Sequence, residues 1–226
     1  MEKLNDGDFI KITYTGRSAV TGKIFDTTDA DKAKEAGIFE ESRKYGPVLI
    51  VVGKEHVVKG LDAALREMST GEQKTVELQP ADAFGERNPN LVRILPISEF
   101  RKREIEPFPG LLLDLDGMRG VVKSVSGGRV MVDLNHPLAG EKVVYEVKVE
   151  EKLADFNSKV NGLLDSFALK PESIKFENGV LSITFPPNVK KDADFLINKS
   201  SFAGSVHRLL PEVKKLIVVE EYSFEQ

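Results

Sequence analysis

The stretch KVVYEVKVEEK, Lys142–Lys152, alternates so that Val143, Tyr145, Val147 and Val149 share one face. Period-two alternation of this length describes a strand with one buried side. Such a strand cannot stand alone in water, because its row of backbone N–H and C=O groups needs neighbours. Its partners are expected among the strand-like segments at the start of the chain. Phe9, Ile10, Ile12 and Tyr14 mark the first, in DFIKITY; Lys23–Asp26 forms a second. VLIVVG, Val48–Gly53, is a continuous apolar third, and Glu72–Leu78 returns to alternation. The chain therefore leaves a sheet, builds something else, and comes back to it.

Between these strands the helical signals are few. DADKAKEAG predicts a short surface helix that Gly37 stops. Lys59–Met68 places Leu61, Ala64, Leu65 and Met68 on one face of a compact amphipathic helix. From Asn88 to Pro137 the texture changes to short strands, LLLDLDG, RGVVKSV and RVMVDLN, separated by Asp116-Gly117 and Gly127-Gly128 turns. This predicts a small all-β meander. Beyond it, Leu153, Phe156, Val160, Leu163, Leu164 and Phe167 keep helical spacing, and Asn178-Gly179 turns a hairpin. Phe195, Leu196, Phe202, Val206, Leu209 and Leu210 form a second helical stripe, followed by the strand LIVVEEYSF. The apolar faces of these two helices suit a private core and a homodimer interface equally well.

Composition narrows the chemistry. Hydrophobic residues make up 41% and charged residues 30% of the 226, the profile of a globular chain. A net charge of −4 argues against nucleic-acid binding through a basic surface. With no cysteine, a disulfide scaffold, a thiolate zinc site and a catalytic thiol are all excluded. The three histidines are scattered, so no metal role is expected. No run of about 18 apolar residues is present, so no membrane span is expected. MEKLNDGDFIKITYTG has no apolar leader, so a cytoplasmic setting is expected.

Five ordered segments carry a resemblance. ITYTG (Ile12–Gly16), GKIFDTT (Gly22–Thr28), VVGKEHVVKGLDAALREMSTGE (Val51–Glu72) and PADAFGE (Pro80–Glu86) follow one another as in FKBP-type peptidyl-prolyl isomerases. DLNHPLAGEKVVYEVKVEE (Asp133–Glu151) resembles the SlyD branch of that family, in which a small β domain is inserted in the flap of the barrel. Residues 153–226 look like the extra C-terminal domain of long archaeal-type members. The resemblance implies an α+β fold: an antiparallel half-barrel wrapped on one helix (1–87 and 136–152), an inserted all-β domain (88–135) and a C-terminal α+β domain (153–226). It also implies the site. Tyr14, Phe25, Asp26 and Phe84 match its catalytic positions. Val48, Val57, Val58, Leu61, Leu138 and Tyr145 match the substrate-binding ones. Phe84 stands where tyrosine is usual, and so cannot donate a hydrogen bond to a bound carbonyl.

These residue types suit the implied reaction. Rotating an X–Pro bond means crossing a barrier of about 18–20 kcal/mol through a state whose amide resonance is broken, a step slow enough to limit folding. No nucleophile, metal or cofactor is required. An enzyme need only hold the proline ring in an aromatic slot and favour the twisted amide over the planar one. Phe25, Leu61, Phe84 and Tyr145 would wall the slot, while Tyr14 and Asp26 set its polar edge. On pattern alone, Phe25 and Tyr145 read as ordinary core, and Asp26 equally as a turn residue. In SlyD-like proteins the insert holds unfolded chains, which marks Phe108, Leu111 and Leu113 as a chaperone surface. Expected partners are unfolded or partly folded polypeptides containing X–Pro bonds. The other reading is a non-catalytic holdase or scaffold that binds proline-containing chains.

Overall fold

The computed structural model describes residues 3–187 and 192–221. Its strands and helices form two compact units. One comprises the chain up to Gly16, Ile24–Val76 and the chain from Tyr145 onward; the other comprises Arg17–Lys23 and Glu77–Val144.

The first unit holds β1 (Phe9–Ser18, which runs on past Gly16), β2 (Ile24–Thr27), α1 (Ala30–Glu35), β3 (Val48–Val51), α2 (Lys59–Arg66), β4 (Gln73–Leu78) and β9 (Val143–Leu153). They make a five-stranded sheet in the order β2-β1-β9-β4, with β3 paired to β1. The strand read at 142–152 thus rejoins the first sheet between two segments far upstream. The antiparallel register of β1 with β3 sets Ile10 opposite Ile50 and Ile12 opposite Val48. Ile10 and Ile12 are fully buried on that face, and Leu61 and Leu65 of α2 are buried as well. Asp29 caps α1 by accepting from Asp31 N and Lys32 N, and Gly37, with φ of 69°, ends it.

Phe9 and Val51, paired across β1 and β3, face the other way. They belong to one apolar cluster with the C-terminal segment, which holds α4 (Phe156–Ser166), β10 (Ser173–Glu177), β11 (Val180–Thr184), α5 (Ala193–Leu209) and β12 (Lys215–Val219). Val160, Leu163 and Leu164 of α4, Leu181 and Ile183 of β11, and Phe202 and Val206 of α5 all join that cluster. A Cβ built on Gly162 of α4 would stand 2.8 Å from Leu153 and 3.4 Å from Leu49, so the helix backbone lies close against β9 and β3. Lys159 adds its ammonium over the Phe9 ring at 5.6 Å. Leu153, read as the first turn of the helix, is instead the last residue of β9, because Asp155 caps α4 by accepting from Ser158 N. The Asn178-Gly179 turn has both residues at positive φ, 51° and 78°, and joins β10 to β11 antiparallel. β12 then pairs parallel to β11. The end of the expected strand LIVVEEYSF, from Tyr222 on, lies outside the described residues.

In the second unit, β5 (Val92–Pro96), β6 (Leu112–Leu115), β7 (Met118–Ser126) and β8 (Arg129–Asp133) form an antiparallel sheet in the order β5-β8-β7-β6. The expectation of an all-β insert needs correction, since Ile97–Lys102 forms a helix, α3, whose Phe100 is buried against Val122, Val130 and Val132. Six residues carry too few apolar positions to show a period. At the neck of this sheet, buried Asp133 accepts from the backbone and side-chain nitrogens of Asn135 and pairs with Arg87, while Asn135 bonds both polar backbone groups of Asn88. Burial opposes the Asp133 charge, but these partners hold its carboxyl below the usual range.

The shared core predicts a coupling. Phe9→Ala should cost the full chain about 3–5 kcal/mol in urea unfolding. The same substitution should cost a chain ending at residue 152 clearly less, because the C-terminal neighbours of Phe9 are already gone there.

Candidate active site

β1 and β2 are neighbours, and this brings Tyr14 and Asp26 side by side. The Tyr14 hydroxyl donates to Asp26 Oδ2 at 2.7 Å. On the far side of β1, β9 delivers Tyr145, whose ring centroid lies 6.0 Å from Tyr14 and 5.7 Å from Phe25; it meets Phe25 edge-on at 84°. Gly16 makes this cluster possible. A Cβ there would fall 2.7 Å from the Phe25 ring and 2.9 Å from the Tyr145 ring, which would force the aromatics apart. Tyr14, Phe25 and Asp26 are half-buried and Tyr145 is buried, so the group sits at the rim of the interior. Val48 pairs with Ile12 two residues before Tyr14, and residues two apart in a strand share a face.

Leu61 is buried on α2, while Val57 and Val58 are half-buried just before it. The Val58 carbonyl accepts from Leu61 N and Asp62 N, which fixes the turn into the helix. Among the described residues neither the Val57 nor the Val58 N–H is hydrogen-bonded, which leaves donors free for a peptide carbonyl. Phe84 and Leu138 lie in the second unit. There the Phe84 ring stacks on His136 with centroids 4.5 Å apart, and Leu138 N donates to His136 Nδ1 at 3.2 Å. Phe108 of the insert is exposed, whereas Leu111 and Leu113 are half-buried against its core. Among the described residues no cluster of His, Asp or Glu could hold a metal ion.

One residue of the site escapes sequence reasoning. Arg43 Nη2 lies 2.8 Å from Asp26 Oδ1. The approach is an ion pair without hydrogen-bond alignment, for Oδ1 is buried and accepts no aligned hydrogen bond among the described residues. Arg43 is brought in by the loop after α1, where Phe39 stacks on Tyr45 at 5.2 Å and the guanidinium lies over the Tyr45 ring at 5.4 Å. Nothing in the local pattern ESRKYG distinguishes Arg43 from its charged neighbours.

Burial raises the Tyr14 phenol well above its ordinary value, and the hydrogen bond to Asp26 adds to the rise. Burial, then the Asp26 charge, pushes Tyr145 up to about 12. The folded protein therefore binds both phenolic protons more tightly than the unfolded chain does. That contribution to stability is complete below about pH 10 and is lost as pH climbs through the folded values. In tyrosine ¹³Cζ NMR, Tyr14 and Tyr145 should remain neutral through the range near pH 10 where a free phenol titrates. Asp26→Asn should bring the Tyr14 transition down.

Comparison with known proteins places the chain in a family. The model of the FKBP-type peptidyl-prolyl cis-trans isomerases matches residues 1–101, and the model of the FKBP26 IF domain matches residues 93–138. The short-type peptidyl-prolyl cis-trans isomerase of Methanocaldococcus jannaschii is 32% identical over 148 residues, covering 66% of this chain and 93% of the relative. The FKBP-type 16 kDa isomerase of Escherichia coli is 32% identical over 136 residues, covering 58% and 85%. A SlyD isomerase of Helicobacter pylori is 27% identical over 137 residues, covering 54% and 74%. A match at 32% identity across 93% of the Methanocaldococcus jannaschii relative means that the chain belongs to the FKBP-type peptidyl-prolyl cis-trans isomerases.

Proposed function

We propose that this isomerase turns X–Pro bonds of unfolded chains at the Tyr14–Asp26 pair while its insert holds those chains. The observation that carries the reading is the Tyr14–Asp26 hydrogen bond lying beside the Phe25–Tyr145 edge-to-face pair. Phe25, Tyr145, Leu61 and Val48 receive the proline ring. The Val57 and Val58 N–H groups hold the chain carbonyl next to it. Planar amides are the more dipolar state, so an apolar slot that excludes water favours the twisted one. Asp26 faces the carbonyl carbon as resonance fails, with its charge fixed in advance by a neutral donor on one oxygen and a guanidinium on the other. No bond to the protein forms, and no proton need move.

The insert supplies the second part of the reading. In the insert, Phe108, Leu112 and Ile94 are 56%, 74% and 58% exposed. Leu112 lines, with Leu95, Phe100, Ile105, Leu111 and Leu113, an apolar groove of about 250 Å³, the kind of surface that supports the capture of an unfolded chain. A client held there meets the isomerase site at the effective concentration of a tether. Among the described residues no helix is long and apolar enough to cross a membrane. In the C-terminal segment, Leu196, Ile197, Ile217 and Val219 stay outward, which favours a homodimer through that segment.

Exchange NMR on a proline peptide tests the catalytic part. Asp26→Ala should lower kcat/KM by about 10²-fold, the range expected for a preorganised electrostatic group; an unchanged rate would remove Asp26 from the mechanism. Excising 88–135 should leave peptide turnover intact and sharply reduce acceleration of protein refolding. If aggregation suppression survives the excision, the insert is not the capture site. Sedimentation of the wild type against Ile197→Glu checks the dimer, with a shift to monomer expected for the variant.

A further inference from the structure

β2 ends at Thr27, and at the next residue the Thr28 carbonyl is taken by Gly46 N, so Tyr14 N has no backbone partner there. Tyr14 lies between buried Ile12 and buried Thr15, where an unpaired backbone group is costly. Its partners come from the next residues of the chain. Tyr14 N donates to Thr28 Oγ1 at 2.9 Å, and Thr28 N donates to Tyr14 O at 3.0 Å. The Thr28 and Thr27 hydroxyls approach the same carbonyl at 3.2 and 3.1 Å, and Thr27 in turn bonds Thr15 at 2.9 Å. A buried side chain thus replaces one rung of the sheet ladder and clasps both polar groups of the Tyr14 peptide.

Thr28 also reaches in a second direction. Its carbonyl accepts from Gly46 N at 2.8 Å, which closes the excursion that carries Arg43. The two partners of the Asp26 carboxylate, Tyr14 and Arg43, are therefore both tied to the residue two places after Asp26. A valine would fill the same space and support none of the hydroxyl bonds.

We propose that Thr28 is a positioning residue for isomerisation: through its hydroxyl on Tyr14 N and its carbonyl on Gly46 it sets the two contacts that orient Asp26. This rests on the reading of Tyr14 and Asp26 as the catalytic pair. A buried, 4% exposed threonine at a strand end would otherwise count as ordinary packing. Packing needs the methyl and the volume, which valine keeps. Positioning needs the hydroxyl, which serine keeps.

The test uses the full chain with Thr28→Val, Thr28→Ser, Tyr14→Phe and Asp26→Ala in peptide exchange NMR, and ¹³Cζ titration of Tyr14. Thr28→Val should lower kcat about tenfold with KM within about twofold, the pattern of an interaction felt mainly in the transition state. It should also bring the Tyr14 phenol transition down as its hydrogen bond to Asp26 loosens. Thr28→Ser should restore both readouts to near the wild type. If Thr28→Val matches the wild type in rate and titration while Tyr14→Phe and Asp26→Ala are impaired, the inference falls and the catalytic pair stands. If Thr28→Ser loses as much as Thr28→Val, the hydroxyl is not the determinant and the inference also falls. If Tyr14→Phe and Asp26→Ala both turn over at the wild-type rate, it is the catalytic reading that fails.

Discussion

The return of β9 into the first sheet is the constraint on which the other features depend. β9 lies between β1 and β4, so the sheet is continuous only after the chain has travelled through the whole insert. Closing a long loop costs little more than closing a moderate one, about 0.6 kcal/mol for each doubling of length. An insert there is therefore cheap, provided that the returning strand is specific. β9 is specific because Val143, Tyr145, Val147 and Val149 are all buried on one face, and a slip of one residue would turn them all outward. The same strand carries Tyr145 to Phe25 and Tyr14, and its far end delivers the chain to the α4 cap at Asp155. Closure of the sheet, aromatic wall and C-terminal attachment are three results of one pairing.

Much of this was legible because it rests on period. Alternation marked β1 and β9, the apolar stripe marked α2, and Asn178-Gly179 marked its hairpin. What period could not supply was context. The run VLIVV has no alternation, which signals a strand covered on both sides; the second cover, α4 and its neighbours, is distant in sequence. Phe9 followed directly by Ile10 carries the same signal, for both are buried and they point opposite ways. In LLLDL, composition says that leucines gather, but only pairing decides which is outward. Leu112 proves to be the exposed one, between the half-buried Leu111 and Leu113. Arg43 was invisible for a different reason, since a lone arginine in a charged loop gains meaning only from the carboxylate it meets.

The polar edge of the site shows why these residues act as a set. A partly buried carboxylate loses hydration, and donors placed against its oxygens replace part of it. Asp26 has a phenol on one oxygen and a guanidinium on the other, and the phenol is kept neutral by the burial and the negative charge around it. The carboxylate thus helps to keep the phenol protonated, and the protonated phenol donates to it. The arrangement is fixed before a substrate arrives, which is the condition under which an electrostatic contact lowers a barrier rather than merely binding.

Rigidity is unevenly distributed among the participants, and this separates what can vary from what cannot. Tyr14, Asp26 and Tyr145 stand on adjoining strands, the placement that best preserves geometry. Arg43 comes from a loop, but one stapled by the Phe39–Tyr45 stack and by Gly46 on Thr28. The walls obey a looser rule. Leu61 and Val48 contribute shape and dryness, and apolar exchanges that conserve volume typically cost less than about 1.5 kcal/mol. On the proposed reading, change at those two positions alters which side chains fit beside the proline and leaves Asp26 and its partners in place. If the proposed reading holds, the apolar wall is where the range of clients can change, because the polar edge does not depend on it.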